Sequence, residues 1–275
     1  MRNVTIIIII TILLTPCVNA RSISFLGLNA VRNQQDDGGA TVANSTTYVG
    51  TPVSEHHHFD QDVVNPTNPN ACGTTSLSMV LVNEGLMDYD LSRAQKLDEE
   101  VRPWGGFSAP KDLKLEAKKR GLKSVSVNKA SFAELEEYLG NGNSVMALVE
   151  GGSSPHWIVI LGVETKSNGE KTVYVGDPGR GEHRTYDKET FEDKWATPNK
   201  GMAGSFLNAV AGYENYLLVF DKEKDNLPKE RDFSIHSTEA AADGVSDLAN
   251  SWSHLQEGQI GTAIGEANSG LINVA

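Results

Sequence analysis

The chain has 275 residues and a formal net charge of −12 at pH 7, with 36 acidic against 24 basic side chains. An acidic chain repels phosphate backbones and anionic lipid surfaces, which argues against nucleic acid and membrane surfaces as partners. The length suits one enzyme-sized domain plus flanks, and no internal repeat is visible.

The chain opens on the pattern of an export signal. Met1-Arg2-Asn3 is a short positive start, Val4 to Leu14 is an apolar run, and Val18-Asn19-Ala20 is a small-residue cleavage site. The run is too short to be read as a spanning helix. The expectation is a signal peptide over 1–20, export to the periplasm or beyond, and no stable membrane insertion after cleavage. Cys17 would leave with the signal, and Pro16 before it is the wrong residue for lipidation. Cys72 is then the one cysteine of the mature chain. In a compartment where thiols pair, a leftover thiol marks a reactive group or an intermolecular bridge, and the first fits better here.

Residues 21–58 are rich in Asn, Ser, Thr, Gln and Gly and read as a flexible lead-in that docks weakly if at all. It ends in His56-His57-His58, with Asp60 close behind. These residue types bind metals. Side chains alternate faces along an extended strand, however, so three adjacent histidines cannot all converge on one ion. The expectation is a solvated polar stretch, with no metal site and no cofactor.

The domain is expected over 59–220. Asp62 to Asn70 reads as an irregular run broken by Pro66 and Pro69. Leu77, Val80 and Leu81 then recur at helical spacing, so a helix opens at or just after Cys72 and runs to about Gly85. A cysteine at a helix N-terminus meets unpaired N–H groups and the positive dipole end, which favour a thiolate and can also stabilise an oxyanion. Further helices are expected over Leu91 to Val101 and Pro110 to Arg120, the second closed by Gly121. Ser131-Phe132-Ala133-Glu134 is a capping box opening a helix through Leu139. The pattern then changes to strands: Val145 to Glu150, His156 to Val163, a turn at Ser167-Asn168-Gly169, and Lys171 to Gly176. A helical stretch around Lys188 to Trp195 and a strand from Tyr213 to Phe220 complete an α+β domain.

His156 opens a strongly apolar strand, and Asp177 ends its partner 21 residues on. That spacing suits a strand, a turn and a returning strand, so both lie at one end of a hairpin. A carboxylate there can accept one imidazole N–H and leave the other nitrogen as a base. His183 is the competing candidate for the base, but lacks a rigid apolar strand to hold it.

Asn70-Ala71-Cys72-Gly73-Thr74-Thr75-Ser76-Leu77, Pro155-His156-Trp157-Ile158-Val159 and Gly176-Asp177-Pro178-Gly179 together resemble the papain-like bacteriocin-processing peptidases, which cleave after double-glycine leader peptides. The resemblance spans roughly Phe59 to Phe220. It implies a papain-like cysteine peptidase fold, with the nucleophile on a helical part packed on an antiparallel sheet that carries the histidine and aspartate. By the same resemblance Cys72 is the nucleophile, His156 the general base and acid, and Asp177 the residue orienting His156. The family's oxyanion-hole glutamine usually lies a few residues before the cysteine. Here Gln61 is the favoured match, 11 residues upstream, with Asn65, Asn68 and Asn70 as alternatives.

No stretch resembles the attached transporter of the processing enzymes, so a free-standing exported thiol hydrolase is expected, acting on a peptide or protein, peptidoglycan peptides included. The alternatives are acyl transfer to an amine through the same site, or a silent module that binds a peptide or wall fragment. Residues 221–236 read as a charged linker. In 237–275, Val245, Leu248, Trp252 and Leu255 form one apolar helical face, expected to pack on the domain.

Overall fold

Strand β4 (Pro155–Thr165) is the axis of the molecule. It reads as a continuous apolar run because both of its faces are covered. Trp157, Val159 and Leu161 enter one core, while Ile158, Ile160 and Val163 enter the other. The break in alternation after Ile160 follows a register irregularity in the pairing with the next strand, between Ile160 and Gly162. Gly162 is needed there, since a Cβ would stand 2.3 Å from the Tyr48 hydroxyl.

The computed structural model describes residues 46–231, apart from 68–69, 104–105, 153, 180–181, 197, 199–212 and 224–225. The expected signal peptide, most of the lead-in and the C-terminal helix lie outside the described residues.

β4 pairs with β3 (Ser144–Glu150) and β5 (Lys171–Asp177), and β5 pairs with β6 (Glu182–Asp187). On the other side β3 pairs with β7 (Leu217–Asp221), and β7 with β2 (Lys123–Val127). These pairings are all antiparallel, in the order β2-β7-β3-β4-β5-β6. One face carries α2 (Cys72–Asn83), α3 (Leu91–Val101) and α4 (Pro110–Lys119), whose Leu77, Leu97 and Leu113 share a core with Met146 and Leu218. The other face carries α5 (Phe132–Gly140) and α6 (Lys188–Ala196), whose Leu135, Phe191 and Trp195 pack on Val145 and Val175. The class is the expected α+β, with a second helical layer. Ser131 and Glu134 form the capping box expected at the start of α5.

Four local expectations need correction. The domain starts before Phe59, because β1 (Thr47–Gly50) pairs with β4 from Thr47↔Thr165 to Gly50↔Gly162. The stretch from Asp62 is not wholly irregular: α1 (Gln61–Val64) is one helical turn, capped by Asp60, whose side chain accepts from the Asp62 N–H at 2.8 Å. β2 and β6 were not foreseen as strands. β6 reads Glu-His-Arg-Thr-Tyr-Asp, a polar edge strand without an apolar alternation to announce it. Finally, the described part of the charged linker docks on the domain. Arg231 donates its N–H to Ser126 O at 2.9 Å, and its guanidinium holds both Glu134 oxygens, at 2.6 and 3.1 Å.

Candidate active site

Cys72 is the first residue of α2, with Ala71 as the N-cap. The helix is buried from Cys72 to Val82, and its small and hydroxyl residues allow that. Ser76 Oγ donates to Trp157 O at 3.1 Å, and Ser78 Oγ donates to Thr74 O at 2.9 Å, so these two buried hydroxyls are satisfied within the fold. Gly73 permits close packing: a Cβ would lie 2.6 Å from Ser108 Cβ and 3.0 Å from Trp157 Cδ1. That gives a physical reason for glycine beside the cysteine.

A buried ion pair holds this helix start. Asp98 and Arg102, each with a side chain 2% exposed, approach to 2.6 Å. Thr74 Oγ1 donates to Asp98 Oδ1, and Asn65 Nδ2 donates to Asp98 Oδ2 at 2.7 Å. The first turn of α2 is thus bolted to α3.

His156 and Asp177 meet through strand register. Val159 pairs with Gly176, which brings Asp177 beside the opening residues of β4. His156 Nε2 lies 2.7 Å from Asp177 Oδ1. An ionised carboxylate only accepts, so Nε2 carries the proton in this bond and Nδ1 is left for the thiol. Asp177 Oδ1 also accepts from the Gly179 N–H at 3.0 Å, and Oδ2 accepts from Arg184 Nη1 at 3.0 Å. Arg184 was missed by the sequence reading, because its reach to Asp177 from the position opposite Val175 depends on the unforeseen β5–β6 pairing.

The electrostatics follow from this layout. Burial raises the Cys72 thiol, but the hydrogen bond and charge of His156, the Trp157 N–H and the Arg102 charge together carry it below its ordinary value. Burial disfavours the imidazolium of His156, yet its hydrogen bonds to Asp177 and Cys72 and the two negative charges raise it to about 10. Burial also works against the Asp177 carboxylate, but His156, Arg184 and the Gly179 N–H hold it well below the usual range. Both partners therefore favour a thiolate–imidazolium pair.

The site opens on a cavity of about 330 Å³ lined by Gln61, Asn70, Cys72, His156, Asp177 and Arg184 among others. Of the amide candidates, Gln61 and Asn70 line it, whereas the Asn65 amide is engaged with Asp98. Asn68 is outside the described residues. Gln61 is held by its own N–H, which donates to Pro178 O at 2.9 Å. The structure therefore brings Cys72, His156, Asp177 and Gln61 together. His183 is placed elsewhere, its ring facing His56 and His58 at 5.6 and 5.5 Å between centroids. The expectation of a solvated histidine stretch does not hold either, since His56 is 7% exposed. No helix among the described residues is long and apolar enough to cross a membrane.

Residues 51–203 match the model of the Peptidase_C39 like family. Among solved structures the chain is similar to a double glycine motif protease from an AMS/PCAT transporter in complex with the leader peptide. That likeness has 20% identity, covers 54% of this chain and 82% of that chain, and has a TM-score of 0.36. It is also similar to the peptidase domain of Streptococcus ComA, a bi-functional ABC transporter involved in a quorum sensing pathway. There the identity is 16%, the coverage 57% of this chain and 94% of that one, and the TM-score 0.40. No curated protein matches the chain.

Proposed function

Because the chain belongs to the Peptidase_C39 like family, we propose that it is an exported cysteine peptidase that cleaves a peptide bond through an acyl-enzyme on Cys72. The observation that carries this reading is the convergence of Cys72, His156 and Asp177 on one cavity, with a thiol lowered and an imidazole raised in pKa. The Cys72 thiolate attacks the carbonyl carbon, and the oxygen takes the negative charge. The N–H groups at the start of α2 and the Gln61 amide receive that oxyanion; one such donor contributes about 3 kcal/mol in the transition state. His156, as imidazolium, passes its Nδ1 proton to the leaving nitrogen, the C–N bond breaks, and a thioester remains. Neutral His156 then takes a proton from water as that water attacks the thioester. The C–S bond breaks, the acid product leaves, and the thiolate–imidazolium pair is restored. Asp177 orients the imidazole throughout. Export rests on the charged, apolar and small-residue pattern of 1–20 and is tested by N-terminal sequencing of protein recovered outside the cytoplasm.

The decisive experiment offers purified protein peptides (double-glycine peptides among them), protein substrates and peptidoglycan fragments. Mass spectrometry then looks for an acyl adduct on Cys72. The expected result is cleavage with a transient adduct, both absent in Cys72→Ala. Lack of cleavage across the panel, together with Cys72 alkylation unchanged by His156→Ala, would overturn the assignment.

A further inference from the structure

Behind the strand that carries Asp177, three histidines from two distant segments of the chain come together. His56, His58 and His183 each present a ring nitrogen, and these atoms all lie within 4.8 Å of one another. Alternation along extended backbone explains how two of them arrive. His56 has φ −90° and ψ 129°, so His56 and His58 share one side, while His57 turns to the other and packs on Tyr89 at 4.6 Å. His183 comes from β6, where it is the Cα partner of Gly176. Gly176 supplies the room: a Cβ there would stand 2.9 Å from His56 Nε2 and 3.7 Å from His58 Nδ1.

The polar accounting points to a missing ligand. His56 Nδ1 is engaged by the Asn83 side-chain amide. Its Nε2 is buried with no hydrogen-bond partner among the described residues, in a residue only 7% exposed. The ring nitrogens of His58 are buried as well; the ring feels the Asp177 backbone carbonyl, but neither nitrogen makes a well-formed hydrogen bond among those residues. Buried nitrogens left without partners are costly, and a cation satisfies several at once. We propose that His56, His58 and His183 form a binding site for a first-row transition cation, zinc foremost, with a fourth position left for water. Three imidazoles are the donor set that suits such ions. Tetrahedral zinc places its nitrogen ligands about 3.3 Å apart, so binding would draw the three rings together from their present spacing of within 4.8 Å.

The site would staple the segment leading into Gln61 to the β5–β6 hairpin. That hairpin carries Asp177 and Arg184, so the cation would brace both the amide and the carboxylate sides of the cavity without touching the reacting atoms. The inference does not depend on the proposed peptidase activity, and its test does not read activity.

The experiment uses the full chain, free of any polyhistidine tag, stripped by a chelator and titrated with zinc chloride by calorimetry, with Cys72→Ala run in parallel. One equivalent is expected in both, with micromolar or tighter affinity and a rise in Tm. His58→Gln and His183→Gln should each weaken binding about 100-fold or more, and His57→Gln should leave it unchanged. Cobalt(II) loading of the wild-type chain should give tetrahedral ligand-field bands without a thiolate charge-transfer band, a readout that needs no variant to fold. Absence of saturable binding would overturn the site. So would loss of binding in Cys72→Ala, a thiolate band, or full affinity in both His58→Gln and His183→Gln.

Discussion

The Asp177 carboxylate holds His156 in one orientation, with Oδ1 accepting from Nε2 at 2.7 Å. Its second oxygen is not idle, because Arg184 Nη1 donates to it at 3.0 Å. His156→Ala should lower kcat/KM by about 10²–10⁴-fold, the usual contribution of a positioned acid or base. Asp177→Ala should cost less, since it removes only the orienting group. Asp177→Asn keeps an oxygen for His156 but turns an NH₂ toward the Arg184 guanidinium. Its cost should therefore shrink when Arg184→Gln is added. A double-mutant cycle on kcat checks this, and strictly additive losses would argue against the shared carboxylate.

The charge state of the pair sets the pH response. The Cys72 pKa is lowered, so thiolate persists below the ordinary thiol range and is lost as pH falls through the shifted value. The His156 pKa is raised to about 10, so imidazolium is present below that value and is lost as pH rises through it. Peptidase activity should show a broad plateau between these limits. Cys72 alkylation should likewise stay fast at mildly acidic pH. In His156→Ala the hydrogen bond and charge are gone while burial remains, so the onset of alkylation should move to higher pH. An onset unmoved by that substitution contradicts the coupling.

Asp98 and Arg102 are charges removed from water, and each depends on the other. Asp98→Ala leaves the Arg102 guanidinium buried without its carboxylate, which costs about 3–5 kcal/mol. It also releases Thr74 in the first turn of α2. Chemical denaturation should show a lower midpoint, and Cys72 should lose part of its enhanced alkylation rate in the folded protein. A midpoint within error of the parent would show that the pair contributes nothing.

Gly73→Ala tests the close packing next to the nucleophile. The added Cβ meets Ser108 and Trp157 below van der Waals distance, and overpacking of this kind costs about 1–3 kcal/mol. Because Gly73 adjoins Cys72, activity should fall by more than stability alone explains at temperatures where the variant is folded. Unaltered stability and kcat would show that the helix start yields without consequence.

Local chemistry made a large part of the molecule legible in advance. The helix opening at Cys72 could be read from its apolar spacing. The α5 capping box could be read from four consecutive residues. The approach of His156 to Asp177 followed from the length of one hairpin. Each of these depends on contacts close in sequence, where spacing translates directly into geometry. Arg184 on Asp177, His183 beside His56 and His58, β1 along β4 and Arg231 on Glu134 were decided by the tertiary fold. Alternation correctly forbade three adjacent histidines from converging, but it could not show a third ligand arriving from 125 residues away. β6 is a polar edge strand whose inner face offers only Arg184 and the half-buried Tyr186, too little to impose an apolar pattern. Only its pairing with β5 determines where His183 and Arg184 stand.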